Sequence, residues 1–176
     1  MRRAEVNEAV QHKYPESIVL VITVDSGGRP NVMPAGWSMF TSSTPPMYAV
    51  SIGIERYTHE LIEDVREFTV AIPAPNMGEA IRVCGTQSGR DVDKVTAASL
   101  RTEPATEIAP PLLRGAVANF ECRMAHELRT GDHTIFVGEI VTAHLAEDAA
   151  QRLLNFGPGL YAAARPLAGS EYRFEV

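Results

Sequence analysis

Two kinds of side chain in this sequence could do chemistry together: cations and hydroxyls that grip an anion, and aromatic rings that face a flat ligand. The first kind clusters in Ser51-Ile52-Gly53-Ile54-Glu55-Arg56-Tyr57-Thr58, which runs from a strand end into a helix start. A helix N-terminus offers unpaired N–H groups and the positive end of the helix dipole, a setting that favours phosphate. Arg56 would add a forked, charge-assisted pair of hydrogen bonds and Thr58 a hydroxyl donor. The same residues also fit a plain helix start, with Thr58 as cap and Arg56 paired to Glu60 one turn later. Ser88-Gly89-Arg90-Asp91-Val92-Asp93-Lys94 repeats the anion-site chemistry with a small loop, a helix start and a lysine, or else forms a solvated cap.

The second kind lies in Asn31-Val32-Met33-Pro34-Ala35-Gly36-Trp37-Ser38-Met39 and in Thr130-Gly131-Asp132-His133. Ala35-Gly36 lets a flat ring approach the backbone closely, and Trp37 would stack on that ring or fill core. His133 stands at the mouth of an alternating strand, where rigid sheet could hold an imidazole against a ligand; a solvated histidine after an ordinary turn is the alternative. Taken together, these residues suit a planar aromatic group with an anionic tail.

The elements that must position them are mostly strands. Residues 17–24 are rich in β-branched side chains and read as a strand, followed by a turn at 25–30 and a second strand at 31–37. Thr41-Ser42-Ser43-Thr44-Pro45-Pro46 reads as a loop, 47–53 as the third strand and 68–72 as the fourth. Leu61, Ile62 and Val65 share one face of a helix over 57–66. Two short helices are expected within 76–94, broken at 85–89, with Asp91 as a cap for the second. Residues 104–111 form a proline-containing connector. Strands at 116–128 and 134–145 pair across Thr130-Gly131-Asp132; in the first, Asn119 and Glu121 fall on the polar face. A weak helix over 146–154 and a tail, 161–176, ending in one further strand complete the reading. Six antiparallel strands with short helices inserted predict a closed or nearly closed β-barrel of one domain, residues 1–176, with 1–16 as an N-terminal extension.

Composition narrows the function. The chain is 45% hydrophobic and 22% charged, with a net charge of −6, which argues against a nucleic-acid or anionic-membrane surface. No apolar run is long enough to span a bilayer, and the basic N-terminal residues lack the apolar segment of a secretory signal. Cys84 and Cys122 lack metal-ligand spacing and read as buried thiols of a reducing cytoplasm. No metal site is expected.

The order Asn31-Val32-Met33-Pro34-Ala35-Gly36-Trp37, Pro45-Pro46, Ser51-Ile52-Gly53, Arg56-x-Thr58, Ser88-Gly89-Arg90-Asp91-x-Asp93-Lys94 and Gly131-Asp132-His133 resembles the flavin reductase-like, FMN-binding split-barrel family, its flavoredoxin branch most of all. The likeness runs from about Ser17 to the tail. It implies a six-stranded antiparallel Greek-key split barrel, a homodimer, and one FMN per subunit near the dimer interface. It also implies hydride transfer from NADH or NADPH to the flavin, with electrons passed on to free flavin, a ferric complex or a partner protein. By position, Asn31, Ala35, Gly36, Trp37 and Ser51 would lie along the isoalloxazine and ribityl chain. Arg56, Thr58, Ser88 and Lys94 would surround the phosphate, His133 would sit beside the flavin ring, and Tyr161 would be an aromatic near it. Gly36-Trp37 stands where several members carry Ser or Thr, which makes the free-flavin reductases of two-component monooxygenases a poorer match. Rival readings are a flavin-binding electron carrier without NAD(P)H activity, and a binding module for haem or deazaflavin drawing on His12, His59, His126, His133 or His144.

Overall fold

The run Val19-Leu20-Val21-Ile22-Thr23-Val24 is buried at every position, which a strand achieves only with cover on both faces. In the computed structural model, which describes residues 1–147, 151–157 and 159–164, this run is the second of twelve strands. The first half of the chain contains α1 (Val6–Val10), β1 (Glu16–Ser17), β2 (Val19–Val24), β3 (Pro30–Ala35), β4 (Ser38–Ser43), β5 (Pro46–Gly53), α2 (Tyr57–Val65), β6 (Glu67–Ile72) and α3 (Gly78–Thr86). After these come α4 (Lys94–Ala97), β7 (Thr102–Glu103), β8 (Leu112–Leu113), β9 (Ala118–Thr130), β10 (His133–Leu145), β11 (Leu153–Gly157) and β12 (Leu160–Ala163).

Seven strands form one antiparallel sheet in the order β3-β2-β6-β9-β10-β5-β4. Alternation along β2 sends Leu20 and Ile22 to one face, where they pack with Val32, Ile81 and Leu113. Val19 and Val21 go to the other, with Val50, Ile52, Ile62, Phe68 and Phe136. β3 and β4 are the opposite edges of this sheet, yet only Gly36 and Trp37 separate them in sequence. A flat sheet would hold those edges roughly 29 Å apart at about 4.8 Å per strand. Three Cα steps reach at most about 11 Å. The sheet is therefore rolled until its edges meet at Gly36-Trp37, where the Ser51 N–H of β5 donates to the Trp37 carbonyl at 2.9 Å.

The sheet contains seven strands rather than the six expected, and β4 is the addition. It occupies part of the stretch read as loop because an edge strand paired only to β5 makes little demand for buried side chains, so Ser and Thr suffice. Asp93, not Asp91, caps α4, accepting from the Val95 and Thr96 N–H groups at 3.0 and 3.2 Å. The polar face at the start of β9, Asn119 and Glu121, is not solvated, whereas Arg123 further along is exposed. The connector before β8 folds over that start: Glu121 is fully buried and accepts from Thr106 N (2.9 Å), Glu107 N (2.7 Å) and His144 Nε2 (2.7 Å). Burial pushes the Glu121 carboxyl up, but these donors outweigh it and hold the group below the usual carboxylate range.

Leu153 and Leu154, expected in a helix, lie instead in β11, which pairs with β1 and β12 in a three-stranded sheet; residues 148–150 of that expected helix lie outside the described residues. Pairing with β1 satisfies the backbone while Leu153 reaches the core beside Leu20. The tail supplies β12, and the remainder of the expected terminal strand, 165–176, is likewise outside them. Among the described residues no helix is long and apolar enough to cross a membrane.

Candidate functional site

Where the rolled sheet meets itself, the ends of β3 and β5, the first turn of α2, the segment after α3 and the first residue of β10 surround a cavity of about 680 Å³. That is the size range of small-molecule and cofactor sites. Ala35, Gly36, Trp37, Ser51, Arg56, Thr58, Ser88, Lys94 and His133, all expected at a site, line it. They come from six separate stretches of chain.

One end of the cavity is cationic. Lys94 is buried, and its ammonium donates to the carbonyls of Cys84 (2.8 Å) and Val32 (3.0 Å). No carboxylate pairs with it among the described residues, and the third ammonium hydrogen is left over. Burial lowers the Lys94 pKa, and the positive charge of Arg56 lowers it further. Arg56 is exposed and has no ion pair among the described residues; Glu60 is taken by Arg90 instead, at 2.7 Å. So the surface pair once open to Arg56 does not form. Thr58 is not the helix cap, since that position belongs to Arg56 itself; Thr58 is buried and accepts from Asn31 Nδ2 at 2.9 Å. The first-turn N–H groups of Tyr57 and Thr58 have no acceptor within the helix.

Gly89 brings the loop after α3 to this end. A Cβ there would overlap Asn31 Oδ1 and crowd the Tyr57 ring at 3.0 Å, so only glycine allows the approach. Asn31 itself is buried behind Thr58, outside the cavity lining, and its Oδ1 is the one buried side-chain polar atom without a hydrogen-bond partner among the described residues. Ser88 contributes its hydroxyl, which accepts from Arg90 N at 3.2 Å.

The other end is aromatic and is set by strand register. Gly131 and Asp132 form a two-residue hairpin loop with φ of +60° at the glycine, the arrangement of a type II′ turn. The Asp132 carbonyl accepts from Ile54 N (3.0 Å), which ties the turn to the exit of β5 and sets His133 opposite Gly53. His133 Nδ1 donates to Asp132 Oδ1 at 2.7 Å, which leaves Nε2 free toward the cavity beside Gly53. That bond also holds the Asp132 carboxyl below its ordinary value. The Trp37 ring lies 4.9 Å from the His133 ring, centroid to centroid, and is half exposed. Trp37 is therefore not core.

Tyr161 falls elsewhere: it sits in β12 against Gly78 and the core around Met77, outside the lining. Residues with no local signal also enter the cavity wall, among them Lys13, Tyr14 and Glu16 from the N-terminal segment, and Tyr57, on whose ring Arg90 sits at 5.0 Å. Cys84 lines the cavity too, but burial pushes its thiol up to about 11, and Cys122 to about 12, so neither is an activated nucleophile. His59 is spent on Thr134 (2.8 Å) and Glu63 (3.3 Å), and His144 on Glu121.

An unneutralised cationic pocket joined to an aromatic slot has the shape and charge for a planar ring with a phosphate tail. Residues 11–165 match the flavin reductase like domain. An NADH-dependent FAD reductase of Streptomyces globisporus is 30% identical over 132 residues, 71% of this chain and 68% of that protein. The crystal structure of an FMN-binding protein from Thermus thermophilus superposes with a TM-score of 0.87 at 28% identity, covering 97% of this chain and all of that one. A flavoredoxin from Methanosarcina acetivorans does so with a TM-score of 0.84 at 27% identity, over 97% and 95%. With a mainly β fold, short helices and a domain match over nearly its whole length, the chain belongs to the flavin reductase-like family.

Proposed function

We propose that this protein is an FMN-dependent oxidoreductase that takes hydride from NADH or NADPH and passes electrons to free flavin, a ferric complex or a partner protein. The observation that carries the reading is that a buried Lys94 and an Arg56, neither with a carboxylate partner among the described residues, share one cavity with the Trp37–His133 slot. FMN, when bound, would supply a two-electron acceptor that takes hydride and releases electrons singly or in pairs. Lys94, Arg56, Ser88 and the open N–H groups of Tyr57 and Thr58 would hold its phosphate. Ala35 and Gly36 would let the ring system approach the backbone, and N–H groups there would favour the charge it gains on reduction. His133, with its Nε2 open, would orient the incoming ring or its carboxamide; hydride transfer itself requires no proton abstraction.

We also read the rolled sheet as the family's Greek-key split barrel, working as a homodimer. The exposed Met39 and Phe40 on edge strand β4 support a covering partner there. Two free, buried thiols support a cytoplasmic setting. A second reading, a flavin-binding electron carrier reduced by another protein, draws support from the likeness to flavoredoxin. Anaerobic addition of NADH and NADPH to the FMN-loaded protein decides between them. Bleaching of the flavin absorbance within seconds supports the oxidoreductase; an oxidised spectrum that persists with both nicotinamides contradicts it and favours the carrier.

A further inference from the structure

The N-terminal segment, expected only to extend the domain, forms one wall of the cavity on the side of Trp37. Lys13 Nζ stands 4.7 Å from the Tyr14 ring centroid and 5.8 Å from that of Trp37, and is ion-paired to Glu16. Glu16 is pinned from two sides. Asn155 Nδ2 of β11 donates to it at 3.0 Å, and it packs so tightly on Gly36 that a Cβ there would overlap the carboxylate. A fixed acid thus fixes a lysine at the mouth of the site. One of the three ammonium hydrogens serves Glu16, and the others are available.

The contacts run in a definite order: Lys13 over Trp37, Trp37 against His133, His133 beside Gly53, and Gly53 beside Arg56. The cavity therefore has a cationic pole without carboxylate partners at Arg56 and Lys94 and, across the aromatic pair, an ammonium at Lys13 that is held by Glu16. The pole at Arg56 and Lys94 suits the phosphate of one ligand; the two ammonium hydrogens that Glu16 leaves on Lys13 can serve a second anion whose ring reaches the same aromatic pair. We infer that Lys13 binds the pyrophosphate of the nicotinamide dinucleotide and so determines preference for a phosphate-bearing reductant over a neutral one. This rests on the reading above that a nicotinamide reduces the bound flavin.

The test compares NADH and NADPH with 1-benzyl-1,4-dihydronicotinamide, which carries the reducing ring without phosphate, on the FMN-loaded wild type, Lys13→Met and Lys13→Arg. The expected result is a KM for the dinucleotide raised roughly fivefold to tenfold in Lys13→Met, as suits one charge-assisted bond at a partly exposed site. Lys13→Arg keeps the wild-type KM. The benzyl compound does not distinguish the variants, and the rise of dinucleotide KM with salt is shallower in Lys13→Met. An unchanged dinucleotide KM in Lys13→Met overturns the inference, as does an equal loss with the benzyl compound, which would mean that the segment only shapes the slot. A wild type that oxidises neither reductant refutes the functional reading, and this inference with it; one that oxidises both while Lys13→Met does not discriminate refutes this inference alone.

Discussion

The two ends of the cavity are held in different ways. At the cationic end, Lys94 is anchored by two backbone carbonyls and Arg56 has no ion pair among the described residues, so charge is assembled there with no carboxylate of those residues to neutralise it. At the aromatic end position is fixed instead: His133 is set by the β5–β10 register, a two-residue turn and Asp132, and Trp37 by the link between the two sheet edges. The first arrangement provides affinity for an anion, since uncompensated buried charge gains most when a counter-charge arrives. The second provides geometry, since strand register leaves little freedom at His133. The lesson is that changes at one end should alter how tightly the cofactor is held, and changes at the other how well the reaction runs.

The largest separation should come from Lys94→Met. It removes the buried ammonium, and FMN affinity should fall roughly tenfold to hundredfold, the span of one or two charge-assisted bonds. Riboflavin, without the phosphate, should change less than about threefold when both are followed by flavin fluorescence quenching. His133→Ala should do the reverse. Steady-state turnover with the nicotinamide should drop about tenfold through lost orientation, with FMN affinity within about twofold of wild type. Equal losses of both would remove the distinction between the two ends.

A smaller effect follows from pH. Burial, reinforced by Arg56, sets the Lys94 pKa below the ordinary 10.5, so the charged form is disfavoured in the free protein and favoured again by a bound phosphate. FMN affinity should therefore weaken as pH rises through that lowered pKa, while riboflavin affinity stays level and Lys94→Met shows no such decline. Titrations of both flavins across the alkaline range check the sign. A decline shared by riboflavin would assign the titration to another group.

Much of the aromatic end is legible in the sequence because short-range rules govern it. Gly131-Asp132 specifies the turn, alternation after His133 specifies which face each side chain takes, and Thr134, Phe136 and Gly138 are indeed buried together. The cationic residues are recognisable by type, but what frees them is not. Arg56 does not pair with Glu60 because Arg90, thirty residues from Glu60 in sequence, takes that carboxylate. Asn31 is recognisable as polar and near the site, yet its place behind Thr58 depends on β3 and α2 coming together across the fold. Strand β4 escapes a pattern search because an edge needs no apolar face. Glu121 misleads for the opposite reason: alternation marks it as solvated, and a distant connector covers it. Lys13 and Glu16 carry no local signal at all, since their importance comes from Gly36 and Asn155.

The phosphate is the part of the ligand that the cationic end is built to hold. Isothermal calorimetry of the flavin-free wild type with FMN and with riboflavin, repeated on Arg56→Ala, isolates it. We predict that FMN binds the wild type at least about tenfold more tightly than riboflavin and that the gap narrows in Arg56→Ala, chiefly through loss of FMN affinity. Equal affinity of the wild type for the two flavins, or no uptake of FMN, would contradict it.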